Sequence, residues 1–314
     1  MTKYSFLRWM RICISIAATG ILAFSLSVGA SCVPCIGRML ETVQIGHAVI
    51  AFSMSIIIGW LLLTLAFGRI YCSSVCPIGT LQDLGARSVR RFPLDRFGES
   101  RRRFRYAAPQ NRLRYSALVI LVIAIMFGLT VIPSVLEPFS AFNRICTTLV
   151  APLIRKIAPL LPGVSHHSLA ILAASSLSAT VLAILILGSV IAVSARSGRR
   201  ICNTVCPVGT ALGFVSRFAI FQMEIDTDLC VNCGKCESVC KGECIDLKDH
   251  VVDGSRCVVC FDCANVCPNS AINFTSNRKQ LSTPLMQKII GPERAPQATM
   301  DCSGECNQIK KTLK

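Results

Sequence analysis

Four apolar stretches constrain the fold of this 314-residue chain more than any other feature. A helix that crosses a bilayer needs about 20 consecutive apolar residues, and only structures that pair their own backbone groups are stable in lipid. The stretches that reach this length are residues 12–30, 48–67, 115–136 and 168–195. With 52% hydrophobic and 16% charged residues, the chain is also more apolar than ordinary soluble proteins. The sequence therefore predicts an α-helical membrane protein with four transmembrane helices.

The charges in the loops predict how these helices are oriented. Eleven Lys and Arg residues lie between residues 68 and 114, whereas the loop 31–47 carries only Arg38. Loops rich in Lys and Arg stay in the cytoplasm, so we expect the loop 68–114 and both chain termini to be cytoplasmic. Docking of an acidic redox partner or of anionic lipid is an alternative use of the same arginines.

An internal repeat relates the two halves of the apolar region. The segment GRIYCSSVCPIGT at 68–80 recurs 130 residues later, at 198–210, as GRRICNTVCPVGT. Each copy follows the cytoplasmic end of an expected span, so we predict two helical hairpins related by an axis along the membrane normal. The expected domains are a transmembrane domain over 1–195, a membrane-edge segment over 196–222, a small α+β domain over 223–276 and a tail over 277–314.

The most specific signal is a pair of cysteine motifs in the small domain. Cys-x2-Cys-x2-Cys-x3-Cys at 230–240 recurs 27 residues later at 257–267. In two-cluster bacterial ferredoxins, each [4Fe–4S] cluster takes three thiolates from one motif and the fourth from the other. Zinc ribbons instead use paired Cys-x2-Cys. We therefore predict two [4Fe–4S] clusters, the first held by Cys230, Cys233, Cys236 and Cys267, and the second by Cys257, Cys260, Cys263 and Cys240.

Two departures from the plain motif lie just after Cys240. Lys241 occupies the position where this motif usually has proline, and Cys244 falls where the second copy has Ala271. Neither departure removes a ligand. We interpret Cys244 as a small buried apolar side chain beside the cluster. The alternative is a spare ligand.

The repeat itself contributes another set of thiols, which we call the quartet: Cys72, Cys76, Cys202 and Cys206. Each pair is spaced i, i+4, so both of its thiols lie on one face of a helical turn. A twofold arrangement of the two copies would bring four thiols together, which is the number that one cluster needs. A third iron–sulfur cluster is our favoured hypothesis. The alternatives are an extra site shared with Cys302 and Cys306, and thiols without metal.

The spans, the two Cys-x3-Cys-Pro-x-Gly-Thr motifs and the ferredoxin-like tail resemble the NapH-type membrane polyferredoxins, which are related to the NosR and CcoG proteins. The resemblance covers residues 1–275. It implies a bacterial inner-membrane protein that passes electrons between a cytoplasmic donor or the quinone pool and a redox partner protein or membrane oxidoreductase complex. It also leaves quinone open as a further cofactor.

Several polar residues lie at the expected outer face. For Cys32 and Cys35, a disulfide is the simple interpretation in an oxidising compartment, and a thiol redox pair is the alternative. Cys146 falls on the same side. Three histidines at the outer helix ends offer ligands to haem or hydrogen bonds to a quinone, but polar residues are common at this depth; they are His47, His166 and His167.

Electron transfer in the membrane is the function that these motifs favour. A second hypothesis is an assembly or maturation factor for a respiratory metalloenzyme, which would reduce a metal or a disulfide. A third is a membrane redox sensor. No catalytic set is recognisable, so whether the chain is itself an enzyme stays open. Its basic residues are not interleaved with stacking aromatic residues, so nucleic acid is not an expected partner.

Overall fold

We describe a computed structural model of the chain. It covers residues 4–28, 35–50, 53–91, 104–129, 131–157 and 177–276. Five residues named above lie outside these ranges, and they are Cys32, His166, His167, Cys302 and Cys306. Two more, Cys35 and His47, lie within the ranges, but their side chains are not described.

The apolar part of the chain is helical. Gly68 and Gly198, which are equivalent in the repeat, have φ angles of +79° and +57° and turn the chain sharply into the two cysteine segments. A π-helical turn over Cys146–Val150 joins α9 to α10. The helices are α1 (Ser5–Val28), α2 (Cys35–Thr42), α3 (Ile45–Ile50), α4 (Met54–Phe67), α5 (Ile70–Ser74), α6 (Pro77–Arg91), α7 (Asn111–Met126), α8 (Val131–Leu136), α9 (Pro138–Ile145), α10 (Ala151–Ile157), α11 (Leu177–Ser197), α12 (Arg200–Thr204) and α13 (Pro207–Ser216).

Two of these helices, α1 and α11, are long and apolar enough to cross a membrane. In the most apolar 18-residue stretch of each helix, only 33% of the α1 stretch and 17% of the α11 stretch is buried. The core helix of a soluble protein is mostly buried. The other two expected spans are divided. Residues 48–67 fall in α3 and α4, and residues 115–136 fall in α7 and α8, with Gly128 at φ +69° after the end of α7.

The helices share one buried apolar core. Leu22, Tyr71, Phe142 and Val190 belong to it. Helix α6 packs along α11, and α9 packs against both of them. Cys146 lies in the same core as Cys72 and Cys76, whereas the sequence suggested a place on the outer face.

The small domain has the α+β composition that the sequence predicts. Strand β1 pairs antiparallel with β4, with Ile225 opposite Ile272, and β2 pairs antiparallel with β3. Their apolar side chains form a second core that includes Met223 and Val252. Its elements are β1 (Gln222–Ile225), α14 (Lys235–Val239), β2 (Ile245–Asp246), β3 (Val251–Val252), α15 (Asp262–Val266) and β4 (Ile272–Thr275).

The 27-residue repeat is also visible in the backbone of this domain. Residues with positive φ recur at that spacing, in the pairs Asn232 and Val259, Gly234 and Phe261, and Glu243 and Ser270. A β-branched residue such as Val259 rarely adopts this conformation. Strain of this kind tends to persist where a loop has a functional shape to keep.

The first turns of α1 pack against the small domain. Tyr4, Arg8 and Arg11 lie on one face of the helix. The ring of Tyr4 stacks on Phe261 at 5.8 Å, and Nε of Arg8 lies 2.7 Å from Oδ1 of Asp262. The start of α1 and the small domain therefore lie on the same side of the helical part.

Candidate iron–sulfur centres

The four cysteines predicted to hold the first cluster line one cavity, which comprises about 360 Å³ of empty space, part of it open to solvent. Its other walls are mainly apolar and include Ile225, Leu229 and Leu247. The backbone N–H of Ala271 donates to Sγ of Cys267 at 3.3 Å. Four thiols, open space between them and a donor to one sulfur suit a [4Fe–4S] cluster. The four are Cys230, Cys233, Cys236 and Cys267.

The thiols predicted to hold the second cluster also adjoin one another. Burial raises the pKa of Cys263 well above its ordinary value, and the neighbouring thiols of Cys260, Cys240 and Cys257 raise it further. Cys236 of the first set acts on Cys263 as well. The structure thus brings the second set together and places it beside the first.

Cys244 is buried against this second set. Its Sγ lies 3.5 Å from Sγ of Cys240. The hydrogen bond with Cys244 lowers the pKa of Cys240 to about 7. Cys244 also interacts with the thiol of Cys257, so it adjoins two members of the predicted set.

Replacing Cys244 with alanine is expected to leave the iron content of anaerobically purified protein unchanged. Alanine is the residue at the equivalent position 271, where the second copy of the motif needs no thiol. The matched variant Cys240→Ala should lose about four irons per chain, because it removes a predicted ligand. A loss of about four irons in Cys244→Ala would instead make Cys244 a ligand.

The quartet lies where the two copies of the repeat meet. All four thiols are buried. Burial raises the pKa of Cys206 well above its ordinary value, and the nearby thiols of Cys202, Cys76 and Cys72 raise it further. The backbone N–H of Gly209 donates to Sγ of Cys206 at 3.3 Å. The structure therefore gathers the four thiols that the sequence grouped.

Two buried arginines cross-link the copies in a reciprocal way. Arg69 donates to the carbonyl oxygen of Cys202 at 3.3 Å, and Arg199 donates to that of Cys72 at 2.6 Å. Both donors and both acceptors are 130 residues apart in sequence. The same contact is therefore made twice, as expected for two copies related by a twofold axis.

The charge around the quartet suits an anionic group. Arg69 is fully buried, and its Nη2 lies 3.7 Å from Sγ of Cys72. Among the described residues, no carboxylate pairs with Arg69; its other acceptors are neutral oxygens of Cys202, Asn203 and Ser255. A buried charge without a counter-charge is costly. Thiolates carrying a cluster would supply that negative charge.

The donors do not surround a single ion. No group of three or more His, Cys, Asp or Glu side chains within the described ranges is arranged to hold one metal ion. The four thiolates of a cubane each bind a different iron, so this finding does not bear on a cluster.

The pairing of the charged residues that join the parts of the molecule was not predicted from the sequence. Asp83 on α6 pairs with Arg199 at 2.8 Å and with Arg11 and Lys241 at 3.3 Å each. Lys241 also pairs with Asp262 at 3.0 Å. Two features of the sequence point to these residues. An arginine recurs in both copies of the repeat, as Arg69 and Arg199, and Lys241 stands where the motif usually has proline.

Comparisons with known proteins agree with this geometry. Residues 49–95 and 179–223 match a family described as "4Fe-4S binding domain", and residues 223–246 match another with the same description. The matches support an iron–sulfur binding protein. The first two segments contain the two copies of the repeat with the quartet. Such domains suggest an electron-transfer role.

One stretch of this iron–sulfur binding chain also resembles a curated protein. Over 39 residues it is 46% identical to an uncharacterized protein of Methanocaldococcus jannaschii. That match covers 12% of this chain and 16% of the relative's length. No solved structure matches the chain.

Proposed function

We propose that the chain is a membrane-bound electron-transfer protein in which the two ferredoxin-like sets and the quartet each hold a [4Fe–4S] cluster. Such clusters, when bound, supply one-electron transfer. The observation that carries the proposal is that the three sets of thiols adjoin one another in series. The first set includes the exposed Cys233, and the series ends at the quartet.

Neighbouring sets share a buried core. Cys236 of the first set and Cys263 of the second belong to one core, and Cys236 acts electrostatically on Cys263. Cys260 of the second set packs against the same core as Cys72 and Cys76 of the quartet. The side chain of Val258 is buried in that core too, so the second motif is anchored on the quartet. The protein's part is to hold the three sets in this order and to exclude water between the last two.

Exposed apolar side chains support contact with membrane lipid. Ile16 on α1, Leu62 on α4, Ile123 on α7 and Leu185 on α11 are all between 48% and 62% exposed. Insertion of these helices into a bacterial inner membrane, with the small domain on the cytoplasmic side, fits this surface and the basic loop 68–114. The donor and acceptor are a cytoplasmic protein or the quinone pool on one hand and a membrane redox partner on the other.

The test is the iron and acid-labile sulfide content of anaerobically purified protein, with EPR spectra of the reduced state. Wild type should carry about twelve irons per chain, and a variant with serine at all four quartet positions about eight. About eight irons in both proteins would remove the third cluster and leave a two-cluster protein.

A maturation factor that works through the quartet as free thiols has less support. Burial raises the pKa of Cys202 to about 11, with Cys72 adding to the rise. Reactive cysteines have lowered pKa values, because the thiolate is the nucleophile. Without metal, these thiols would stay protonated and unreactive at neutral pH.

A further inference from the structure

A buried network of charges lies between the second set of cysteines and the quartet. Lys241, which directly follows Cys240, is 4% exposed. Its Nζ bridges Oδ2 of Asp83 at 3.3 Å and Oδ2 of Asp262 at 3.0 Å. Asp83 belongs to the helix that follows Cys76, and Asp262 lies between Cys260 and Cys263. The ammonium group therefore links the segments that carry two different sets of thiols.

The network holds more positive than negative charge. Three buried cations, Arg11, Arg199 and Lys241, share the two carboxylates of Asp83 and Asp262. Arg8, which is partly exposed, adds a fourth cation beside Asp262. Both signs of charge act on the second set, since Asp262 as well as Lys241 and Arg11 interact electrostatically with Cys260. Arg199 interacts with the same thiol.

The first set has different surroundings. Among the described residues that line its cavity, none carries a charge. The charges near it in sequence are of both signs, with Asp226 and Asp228 ahead of Cys230 and Lys235 beside Cys236. The two predicted sites thus have the same ligand type, but only the second adjoins the buried network of charges. Hydrogen bonds, net charge and exposure are what set the potential of a cluster.

We propose that Lys241 is a positioning residue that makes the site formed by Cys240, Cys257, Cys260 and Cys263 easier to reduce than the site formed by the first set. This inference rests on the proposed function. Reduction adds one negative charge, and a buried cation stabilises that charge more strongly than an exposed one because the local dielectric is lower. One electron then passes from the first site, which is oxidised, to the second, which is reduced, and no bond is made or broken.

This role explains why lysine replaces the usual proline. Proline has no ammonium group to reach Asp83 and Asp262. The carbonyl of Lys241 also accepts a hydrogen bond from the backbone N–H of Arg199 at 2.8 Å, which fixes the residue against the quartet segment. Electrons that enter at the exposed first set would therefore move toward the membrane edge.

The experiment is an EPR-monitored redox titration of the full-length protein, in wild type and in three variants. Lys241→Met removes the cation but leaves Asp83 paired with Arg199 and Arg11, and Asp262 paired with Arg8. Asp262→Asn removes a neighbouring negative charge. Lys248→Met removes the charge of an exposed lysine in the same domain and serves as the matched control. The signal of the second set is assigned as the one that Cys257→Ser changes.

At a fixed potential near the midpoint of the second signal, Lys241→Met should lower its ratio of reduced to oxidised cluster at least about tenfold, a shift of about 59 mV for one electron. Asp262→Asn should raise that ratio, and Lys248→Met should leave it unchanged. A loosened structure would change the ratio in the same direction in Lys241→Met and Asp262→Asn. An electrostatic effect changes the ratio in opposite directions in these two variants.

Two results would overturn the inference while leaving the proposed function intact. One is a full set of clusters whose second potential is the same in Lys241→Met and wild type. The other is a shift of equal size in Lys248→Met. If Lys241→Met does not assemble clusters, the test rests on Asp262→Asn. An unchanged or lowered ratio of reduced to oxidised second cluster in Asp262→Asn then contradicts the inference. Wild-type protein without cluster signals would contradict the proposed function itself.

Discussion

Replacing Asp83 with asparagine is expected to destabilise the protein by about 3–5 kcal/mol, the usual cost of breaking a buried ion pair from one side. Asp83 is buried and shared by three cations, Arg199, Lys241 and Arg11. Among the described residues it is the carboxylate that pairs with Arg199, which is fully buried. The neutral amide would leave that guanidinium without a counter-charge.

The charge state of Asp83 supports this expectation. Burial alone would raise the pKa of Asp83, but Arg199, Lys241 and Arg11 hold it well below its ordinary value. The folded-state pKa is thus lower than that of an unfolded aspartate, about 3.9. The stabilisation is therefore fully present above that pH and is lost as the pH falls below it.

The measurement is the midpoint of thermal unfolding, followed by the helical circular dichroism signal of detergent-solubilised protein. Asp249→Asn is the matched control, since Asp249 is an exposed carboxylate between β2 and β3. It should change the free energy of unfolding by no more than about 0.5 kcal/mol. Equal midpoints for Asp83→Asn and Asp249→Asn would show that the network adds nothing to stability.

The sequence predicts the grouping of the cysteines because a cluster fixes the spacing of its ligands. The triple motif allows three thiols to converge from one loop, and the 27-residue repeat brings the fourth from the other motif. The structure places the first four around one cavity, with Cys267 supplied by the second motif. For the quartet, the 130-residue repeat alone was enough to predict that Cys72 and Cys202 approach each other.

The charged partners of these thiols could not be predicted in the same way. Asp83 and Arg199 are more than 100 residues apart in sequence, and no local pattern indicates that they pair. Arginines near apolar stretches are explained by orientation alone, yet Arg69 and Arg114 are buried and both donate to Ser255 of the small domain. Burial of these side chains depends on tertiary contacts that periodicity does not encode.

Helix lengths show a similar limit. A sum of hydropathy over residues 115–136 indicates one long span, but it takes no account of backbone conformation. Gly128 adopts a left-handed conformation, and α7 ends at Met126 before α8 begins at Val131. Apolar composition therefore predicted which segments are apolar helices better than it predicted where each helix begins and ends.

Alanine at Gly209 is expected to cause both a loss of stability and a loss of iron. A Cβ at this position would overlap the carbonyl oxygen of Cys202 and lie 2.7 Å from Nη2 of Arg69. Gly79 is the equivalent residue, and its Cβ would overlap the carbonyl oxygen of Cys72. Because backbone atoms block the space, relief requires the cysteine segments to move. Overpacking of this kind costs about 1–3 kcal/mol or more.

The displaced segments carry the quartet, so Gly209→Ala should also lose about four irons per chain. Gly20→Ala in α1 is the matched control, because its Cβ would meet nothing within 4 Å. That change should leave the iron content unchanged and should not destabilise the helix, since alanine favours helix over glycine by about 1 kcal/mol. Thermal unfolding and iron analysis of the three proteins test both expectations. Wild-type iron content in a destabilised Gly209→Ala would mean that the packing of Cys202 against Arg69 stabilises the fold without positioning cluster ligands.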